Sequence, residues 1–567
     1  MRATVLRPPF LTASLGWGLV GLGAIVLSLL SAGLFRRELI NVDGVPQLWQ
    51  FLQAAIHPDL SQSLLQVTLS ATVTTFAYAV CGTLFSLILG AIGGILVSQV
   101  WWETVLSQRQ PQVSSWWYGT RFLLAVPRAI HELIWGLFFL NLWGLDPLTA
   151  MLAIAIPFGA ITAKVFAEIL DETPRQPLQA LLHSGVSEPI AFCYGLLPLA
   201  GLNLISYAFY RFECSIRSAA VLGIIGAGGL GYEILLSLQS LQYEQLWTFF
   251  YALFGLNGLV DFSSARLRRY LNCANRLELN LPSVRRSQRQ SVTHTNPSSR
   301  NPRLQGSLIG ITLLGLIIFS FWSIHPDYSK LWASRTRQLL GELARSSLPP
   351  DWSLLPQLLP LSLETIAMSI LAIALAGVGG MLLAFPSAST IFLSGGVLNP
   401  SRAAYGITFG LFLLSRAVLL MARAIPAPIW ALVALFVLFP GILPGAIALG
   451  IHNLGILGRL KAETIENLDT RPLEALKAQG TPGSLVFFYG VLPLSLPRFL
   501  AYDLYRWEVC MRETVIVGLV GAGGLGRMLT EQLSSFDYRG TIVTLGGFLM
   551  LTFGVDAISA QVRRSLR

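Results

Sequence analysis

Long apolar stretches recur from one end of this 567-residue chain to the other. A helix needs about 20 apolar residues to cross the hydrocarbon core of a bilayer. Twelve stretches approach or exceed that length, six in each half of the chain. They are residues 15–34, 67–98, 119–143, 147–167, 190–210, 242–262, 304–323, 358–385, 404–439, 443–459, 484–504 and 539–560. Only 12% of the residues are charged, against about 25% in a soluble domain. The sequence therefore predicts an all-α integral membrane protein embedded in lipid.

Positive charge lies mainly between the apolar stretches. Segment 263–303 carries nine arginines and a single acidic residue, a bias typical of cytoplasmic loops. We therefore divide the chain into a first membrane unit (1–262), an Arg-rich linker (263–303) and a second membrane unit (304–567). Six crossings per unit place both termini and the linker in the cytoplasm. The net charge of +10 follows from these loops and does not indicate a nucleic-acid partner.

The two halves of the chain are repeats of each other. Tyr194-Gly195 recurs as Tyr489-Gly490, an offset of 295, and 17 of 38 positions are identical between 194–231 and 489–526. Apolar bias alone would not match Tyr, Arg, Glu and Pro at one fixed offset. Because each copy crosses six times, both enter the membrane the same way up. This predicts a parallel repeat about an axis along the membrane normal, with a pathway lined by both copies.

A polar loop between the fourth and fifth apolar stretches is present in both copies. Its leading residues in copy one are Glu168, Pro177, Ala180, Leu181 and Gly185. In copy two they are Glu463, Pro472, Glu474, Ala475, Leu476 and Gly480. Proline at a helix start and glycine just past its end predict one short amphipathic helix per copy. Such a helix can lie on the membrane surface or dock into a groove of a partner protein, and the residues alone leave both open.

A charged motif ends the fifth stretch of each copy, on the outer side by the topology above. It contains Arg211, Glu213 and Arg217 in copy one, and Arg506, Glu508 and Arg512 in copy two. Glu and Arg four residues apart can pair on one helix face, which would be a structural role. Alternatively, the guanidinium groups face a pathway, where their planar fork suits the oxygens of a phosphate-like anion.

A glycine-dense segment follows in each copy. Its glycines are Gly226, Gly228, Gly229 and Gly231, repeated as Gly521, Gly523, Gly524 and Gly526. The pattern matches G-x-G-x-x-G, but no βαβ unit surrounds it, so we reject nucleotide binding. Irregular backbone at membrane depth must line a cavity or be buried in protein, which favours a bent gate element. Close helix packing through small residues is the alternative.

These motifs together resemble the phosphonate-type permeases of ABC importers. Glu474-Ala475-Leu476 followed by Gly480 resembles the family's coupling loop, which fits a cleft on an ATP-hydrolysing subunit. Copy one departs from it at Gln179. The resemblance implies two tandem six-helix permease units related by a pseudo-two-fold axis. It also implies two cytoplasmic ATPase subunits that hold ATP and Mg²⁺, no cofactor on this chain, and an extracytoplasmic binding protein that delivers a phosphonate, phosphite or phosphate ester.

Two other function classes fit the sequence less well. A secondary transporter driven by an ion gradient also uses repeats, but it needs buried carboxylates near the midplane, and the apolar stretches contain few. A membrane enzyme needs a nucleophile with its base, and the sequence offers no such catalytic set and no metal-ligand spacing. The P-loop pattern G-x-x-x-x-G-K-[ST] does not occur in the sequence, so ATP must be hydrolysed by another subunit.

Overall fold

We analysed a computed structural model, which describes residues 13–34, 39–106, 113–271, 302–393 and 405–565. Within those ranges the chain contains twenty helices of eight or more residues and no strand beyond an isolated bridge between Ile40 and Leu438. Most of the predicted linker 263–303, and the terminal Arg567, lie outside the described residues. The predicted all-α membrane fold with two repeated units is confirmed.

The helices form two matching sets of ten. The first set is α1 Ala13–Ser31, α2 Val45–Ala54, α3 Gln62–Val97, α4 Val113–Ala129, α5 Glu132–Trp143, α6 Pro147–Glu172, α7 Gln176–His183, α8 Leu197–Leu222, α9 Leu230–Gln239 and α10 Tyr243–Tyr270. The second set is α11 Pro302–Ile324, α12 Ser334–Ser346, α13 Leu355–Ser387, α14 Tyr405–Ala424, α15 Ala427–Val437, α16 Ile442–Glu466, α17 Arg471–Ala478, α18 Leu492–Gly518, α19 Gly524–Ser534 and α20 Tyr538–Ser565. Each helix of the first set has its counterpart ten labels later.

All twelve predicted apolar stretches fall on helices. Nine described helical segments are long and apolar enough to cross a membrane, and α4 with α5, bent by 82°, adds a tenth. The two predicted stretches outside this group lie on α1, which is short, and on α10. The stretches 119–143 and 404–439 are both divided, at His131 and at Pro426, which adopt extended conformations at the N-caps of α5 and α15.

The helices group into two compact units that do not follow the sequence halves. Unit I is Ala54–Glu342, and unit II joins Met1–Gln53 to Leu343–Arg567. The first helix of each half therefore packs with helices of the other half. In unit II, Ile25 and Leu29 of α1 pack on a core cluster that includes Met368 and Ala372 of α13. In unit I, α11 packs on α3, with the rings of Phe321 and Phe85 6.0 Å apart.

The centre of each unit is a close pair of long helices, α3 with α6 and α13 with α16. Small residues bring the backbones together. A Cβ built on Gly90 would lie 2.4 Å from the Thr162 side chain, and one on Gly450 would lie 2.6 Å from Leu375. Without a hydrophobic driving force inside lipid, close van der Waals contact of this kind holds helices together. These central pairs carry the loops described next.

Candidate functional site

The short helix predicted in the polar loop of copy one is present as α7. Leu178 is fully buried in a cluster with Phe166, Leu170 and Phe192, and Leu181 packs at its edge. A Cβ on Gly195 would approach the Leu178 backbone to 3.0 Å, so a glycine there lets α7 lie close to the chain that leads into α8. Pro177, Ala180 and Gly185 are exposed. The leucine face is therefore used inside unit I, and the polar face points outward.

The same arrangement recurs at α17 in unit II. Leu473 is buried with Phe499 and Ile465, and Leu476 packs beside it. Exposed residues on the outward face are Pro472, Glu474, Ala475 and Gly480. Gly185 and Gly480 both end their helices with positive φ, at 81° and 78°, the left-handed conformation typical of a helix C′ glycine. At the first residue of α17, a hydrogen bond from Arg471 to the Asp469 carboxylate raises the pKa of Arg471.

Burial of Leu178 and Leu473 bears on whether the two short helices lie on the membrane surface or dock on a partner protein, which the sequence left open. A helix whose apolar face is already packed in its own unit cannot also insert that face into lipid. The exposed faces of α7 and α17 carry polar and charged side chains, among them Gln179, Glu474 and Lys477.

The carboxylates that hold these loops in place are not the ones singled out from the sequence. Glu168 forms an exposed pair with Lys164 at 3.7 Å, and Glu463 pairs with Arg459 at 2.7 Å, each within its own helix. One turn further on, Asp171 and Glu466 instead bind a different part of their units. The equivalence of 171 and 466 at the common offset of 295, with an acid at both, was the signal that could have revealed them.

Asp171 accepts hydrogen bonds from Ser98 Oγ at 2.7 Å and Val100 N at 3.0 Å. Glu466 accepts from the backbone N and the Oγ of Ser389, both at 2.8 Å, and from Arg416 Nη2 at 2.8 Å. Each carboxylate thus satisfies backbone N–H groups at the start of the segment that follows α3 or α13. This ties the end of α6 or α16, just before the short helix, to the long helix beside it.

The carboxylate of the charged motif reaches another helix. Glu213 on α8 accepts from Ser264 Oγ at 2.6 Å and from Arg268 Nη2 at 2.9 Å, both on α10. Glu508 on α18 pairs in the same way with Arg563 on α20. These partners lie 55 residues away, so the four-residue spacing within the motif did not indicate them.

The predicted position of the motif on the outer side is wrong. Arg268 and Arg563 stand near the C-terminal ends of α10 and α20. The end of α10 leads into the Arg-rich segment, which the sequence places in the cytoplasm, and the motif therefore lies toward the same end as that segment. The sequence prediction took the fifth span as 190–210, with the motif at its outer end, whereas the helical segment Glu188–Ala227 that contains α8 is 40 residues long.

The two motif arginines have different surroundings. In unit II, Arg506 binds Glu513 through Nη2 and the side-chain oxygen of Asn453 through Nε. Asn453 Nδ2 also donates to Glu513 at 3.0 Å, which closes a three-residue network. Asn453 and Glu513 were missed in the sequence, because nothing in it shows which residues of α16 and α18 face each other.

Arg211 in unit I stacks on an aromatic ring. Its guanidinium lies 4.1 Å from the centroid of Phe158 and 6.0 Å from that of Tyr207. The side chain is 6% exposed, and its Nε and Nη2 have no hydrogen-bond acceptor. Phe158 stands where unit II has Asn453. The second arginines of the motif make local contacts: Arg217 donates to Cys214 Sγ at 3.3 Å, and Arg512 donates to the Glu508 carbonyl at 3.2 Å.

The glycine-dense segments form sharp turns between α8 and α9 and between α18 and α19. Residues with positive φ are Gly226, Gly228 and Gly229 in unit I, and Gly521, Gly523 and Gly524 in unit II. Gly231 and Gly526 serve a different purpose, because a Cβ there would lie 1.8 Å from the Ala220 carbonyl oxygen and 2.7 Å from Val515 Cα. The bend and the close packing considered from the sequence thus occur together, and Gly229 and Gly524 combine both, since a Cβ there would lie 2.5 Å and 2.6 Å from Thr75 and Thr365 Oγ1.

Each turn is fastened to a long helix by a threonine. Thr75 Oγ1 accepts from Leu230 N at 2.8 Å, and Thr365 Oγ1 accepts from Leu525 N at 2.9 Å. Unit II adds Glu364, which accepts from Gly524 N at 3.1 Å. An open cavity lies beside each turn, of about 380 Å³ in unit I and about 500 Å³ in unit II. A turn that borders open space on one side can change shape there, as a gate element requires.

A family model for the "binding-protein-dependent transport system inner membrane component" matches residues 118–274 and 396–567, together more than half of the chain. The chain belongs to this family. The two separate matches correspond to the two helix sets, and the family is that of ABC importer permeases. The chain is thus a multi-pass membrane permease component.

Three curated relatives carry names that describe related cargo. The phosphate-import permease protein PhnE of Mycolicibacterium smegmatis is 26% identical, over 79% of this chain and 77% of its own length. The phosphite transport system permease protein PtxC of Stutzerimonas stutzeri is 32% identical, over 40% of this chain and 78% of its own. A candidate cryptic phosphonate transport permease, PhnE2 of Escherichia coli K12, is 34% identical, over 21% of this chain and 97% of its own.

Proposed function

We propose that this chain supplies both permease halves of an ATP-driven importer for a small phosphorus oxyanion: phosphonate, phosphite or a phosphate ester. Two ATPase subunits would bind on the cytoplasmic side, one at α7 and one at α17, and an extracytoplasmic binding protein would deliver the substrate. ATP and Mg²⁺ would be held by the ATPase subunits. The observation that carries this proposal is the pair of short helices, each anchored by a buried leucine and exposing a polar face, in a chain of the permease family.

The proposed orientation follows from charge. The Arg-rich linker and both termini lie in the cytoplasm, since positively charged loops stay on that side. ATP binding by the two partner subunits draws the coupling helices together, and the long helices packed on them transmit the movement to the glycine-dense turns. Hydrolysis resets the assembly. Each step requires a rigid link between α7 or α17 and its unit, which Asp171 and Glu466 support.

Recognition of an oxyanion is supported by Arg211. A buried guanidinium that keeps Nε and Nη2 without an acceptor retains donors for the forked, charge-assisted contact that phosphorus oxyanions make. Arg506 already donates to Glu513 and Asn453, so it is the weaker candidate of the two. The names of the curated relatives point to the same substrate class.

Reconstitution tests the proposal. The purified chain, in liposomes with its ATPase and binding protein, is expected to hydrolyse ATP faster when the binding protein is loaded with phosphite, phosphonate or phosphate. Uptake that needs an ion gradient and no ATPase would instead support a secondary transporter.

A variant tests the coupling role itself. Glu474→Gln with Gly480→Ala alters two exposed positions of the loop, so the chain should still fold. We expect hydrolysis to continue while uptake falls. Unchanged uptake by this variant would contradict docking of an ATPase at α17.

A further inference from the structure

A buried lysine joins three long helices of unit II close to the coupling helix α17. Lys461 on α16 is 1% exposed. Its Nζ lies 2.8 Å from Asp503 Oδ1 and 2.9 Å from Asp503 Oδ2 on α18, and it donates to the Gly377 carbonyl on α13 at 2.8 Å. The ring centroid of Phe499 lies 5.5 Å from the same nitrogen. One ammonium group thus connects α13, α16 and α18.

Unit I has apolar residues at the same places. At the offset of 295, Lys461 corresponds to Phe166 and Asp503 corresponds to Ala208. Phe166 is buried, and its ring packs edge-on against Tyr207 with centroids 6.0 Å apart. Both members of the ion pair are therefore replaced in unit I.

A second polar set on the same two helices differs in the same direction. Asn453 and Glu513, which bind Arg506, correspond to Phe158 and Ser218 in unit I. Four positions at the contact between α16 and α18 are thus polar or charged, where the contact between α6 and α8 has aromatic rings or small side chains. The two helices that differ are the ones that lead into and out of the coupling helix.

Apolar packing and a buried ion pair respond differently when one helix slides along another. Apolar packing is non-directional, so helices joined by it can shift without losing one specific contact. A buried ion pair adds little net stability compared with apolar packing, but loss of one partner leaves an uncompensated charge, and this favours one register. Leu473 of α17 packs in the cluster that contains Phe499, the ring beside Lys461. α17 therefore packs on the part of α18 that carries the ion pair.

We infer that Lys461 and Asp503 are positioning residues for energy coupling, and that they fix the second coupling helix to its unit more rigidly than the first. This rests on the proposed function, because it treats α17 as the contact with an ATPase subunit. Their role is to keep α13, α16 and α18 moving as one body with α17, so that movement of the ATPase reaches the glycine-dense turn 518–526 without slippage.

The chain contains its own replacement for this pair. Lys461→Phe with Asp503→Ala introduces the residues that unit I uses, so the double variant should fold, whereas Lys461→Phe alone leaves Asp503 buried without its partner. Phe166→Leu in unit I is the matched control, since it exchanges one apolar residue for another at the equivalent place. Lys461→Arg, which keeps a cation beside Asp503, serves as the conservative variant.

Hydrogen exchange of the chain alone in lipid nanodiscs is the first measurement, and it needs no ATPase. In the double variant we expect amides of 471–478 to exchange about tenfold faster than in wild type, with little change at 176–183. Phe166→Leu should leave amide exchange at 471–478 unchanged. Lys461→Arg, which still places a cation beside Asp503, should keep most of the wild-type protection there. Equal exchange in wild type and double variant would overturn the positioning role.

The second measurement is the number of solutes transported per ATP hydrolysed in proteoliposomes. We expect this ratio to fall about threefold in the double variant, a size typical of residues on a coupling route. If uptake and hydrolysis fall in proportion, the pair is only a structural brace and the inference fails. If wild type itself shows no ATPase stimulated by binding protein while exchange at 471–478 changes as expected, the proposed function fails and the positioning of α17 by this pair stands.

Discussion

Arg211 and Arg506 occupy equivalent positions, yet their surroundings are opposite in character. Arg506 is neutralised by Glu513 and oriented by Asn453. Arg211 stacks on Phe158 and keeps Nε and Nη2 without an acceptor. A charge inside a membrane protein is expensive unless it is paired or serves a function. The comparison therefore indicates that the two units accommodate equivalent arginines differently: unit II pairs the guanidinium with a carboxylate, and unit I packs it against an aromatic ring.

The surroundings of Arg211 and Arg506 can be compared directly because the two copies share one helix order. The long helices, the short α7 and α17 and the glycine-dense turns are alike in both units. The differences around Arg211 and Arg506 lie at the contact between α6 and α8 and its counterpart between α16 and α18. They are therefore specific to the side chains at that contact, and substitutions there can test each unit against the other.

The largest effect is expected for removal of the acid beside Arg506. Glu513→Ala leaves a buried arginine without its carboxylate, which should destabilise the chain by about 3–5 kcal/mol. Ser218→Ala in unit I should cost less, about 1.5–3 kcal/mol, because it removes a single hydrogen bond from Ser218 to the Glu132 carboxylate. Thermal unfolding in detergent measures both variants. A smaller loss for Glu513→Ala than for Ser218→Ala would show that Glu513 does not neutralise Arg506.

Substitutions at the packed glycines come next. Gly231→Ala would place a Cβ 1.8 Å from the Ala220 carbonyl oxygen, and Gly526→Ala would place one 2.7 Å from Val515 Cα. Overpacking of this kind costs about 1–3 kcal/mol, with Gly231→Ala the more harmful because its Cβ would lie closer to the neighbouring backbone. Gly228→Ala meets open space, but its φ of 86° and ψ of −172° lie in a region that only glycine normally adopts, at a cost of about 1–3 kcal/mol. A greater loss of stability in Gly526→Ala than in Gly231→Ala, measured by unfolding midpoints, would contradict the described turns.

A smaller difference is expected between the two threonines that hold the turns. Thr75→Val removes the side-chain acceptor for Leu230 N, at a cost of about 1–2 kcal/mol for a buried N–H left without a partner. Thr365→Val should cost less, because Glu364 still holds the neighbouring Gly524 N. Hydrogen exchange at the backbone amides of Leu230 and Leu525 measures the loss of each hydrogen bond directly. A larger effect for Thr365→Val would show that Glu364 does not fasten the turn.

The smallest effects concern the acids just before the coupling helices. Glu168→Gln breaks a pair whose two side chains are more than half exposed, so its effect on stability should stay below about 0.5 kcal/mol. Glu463→Gln breaks a closer and less exposed pair with Arg459 and should cost somewhat more, up to about 1 kcal/mol. Unfolding midpoints in matched detergent compare the two. A clear loss of stability in Glu168→Gln alone would show that Glu168 makes a contact in addition to the one with Lys164.

The helices and the repeat could be predicted from the sequence, because both depend on local or periodic properties of the residues. The apolar length of each stretch sets where a span can lie, and Pro177, Gly185 and their counterparts mark the ends of α7 and α17.

Contacts between distant helices could not be read in the same way. Nothing near Lys461 in sequence indicates Asp503, 42 residues further on, and nothing near Glu213 indicates Arg268. The grouping of α1 with the second helix set likewise depends on which apolar surfaces meet, and apolar residues at similar spacing do not identify their partner. Alignment of the two copies at the offset of 295 helps to find such contacts, because positions at which the two units differ mark contacts that differ between them.

The central claim is that α7 and α17 are the two contacts between this membrane chain and ATPase subunits. It is tested most directly by single cysteines at Ala180 and Ala475, in a chain whose five native cysteines have been replaced. The claim predicts that both positions cross-link to the ATPase in inside-out vesicles and that neither reacts with an impermeant maleimide added outside intact cells. Labelling from outside, or failure of both positions to cross-link, would contradict it.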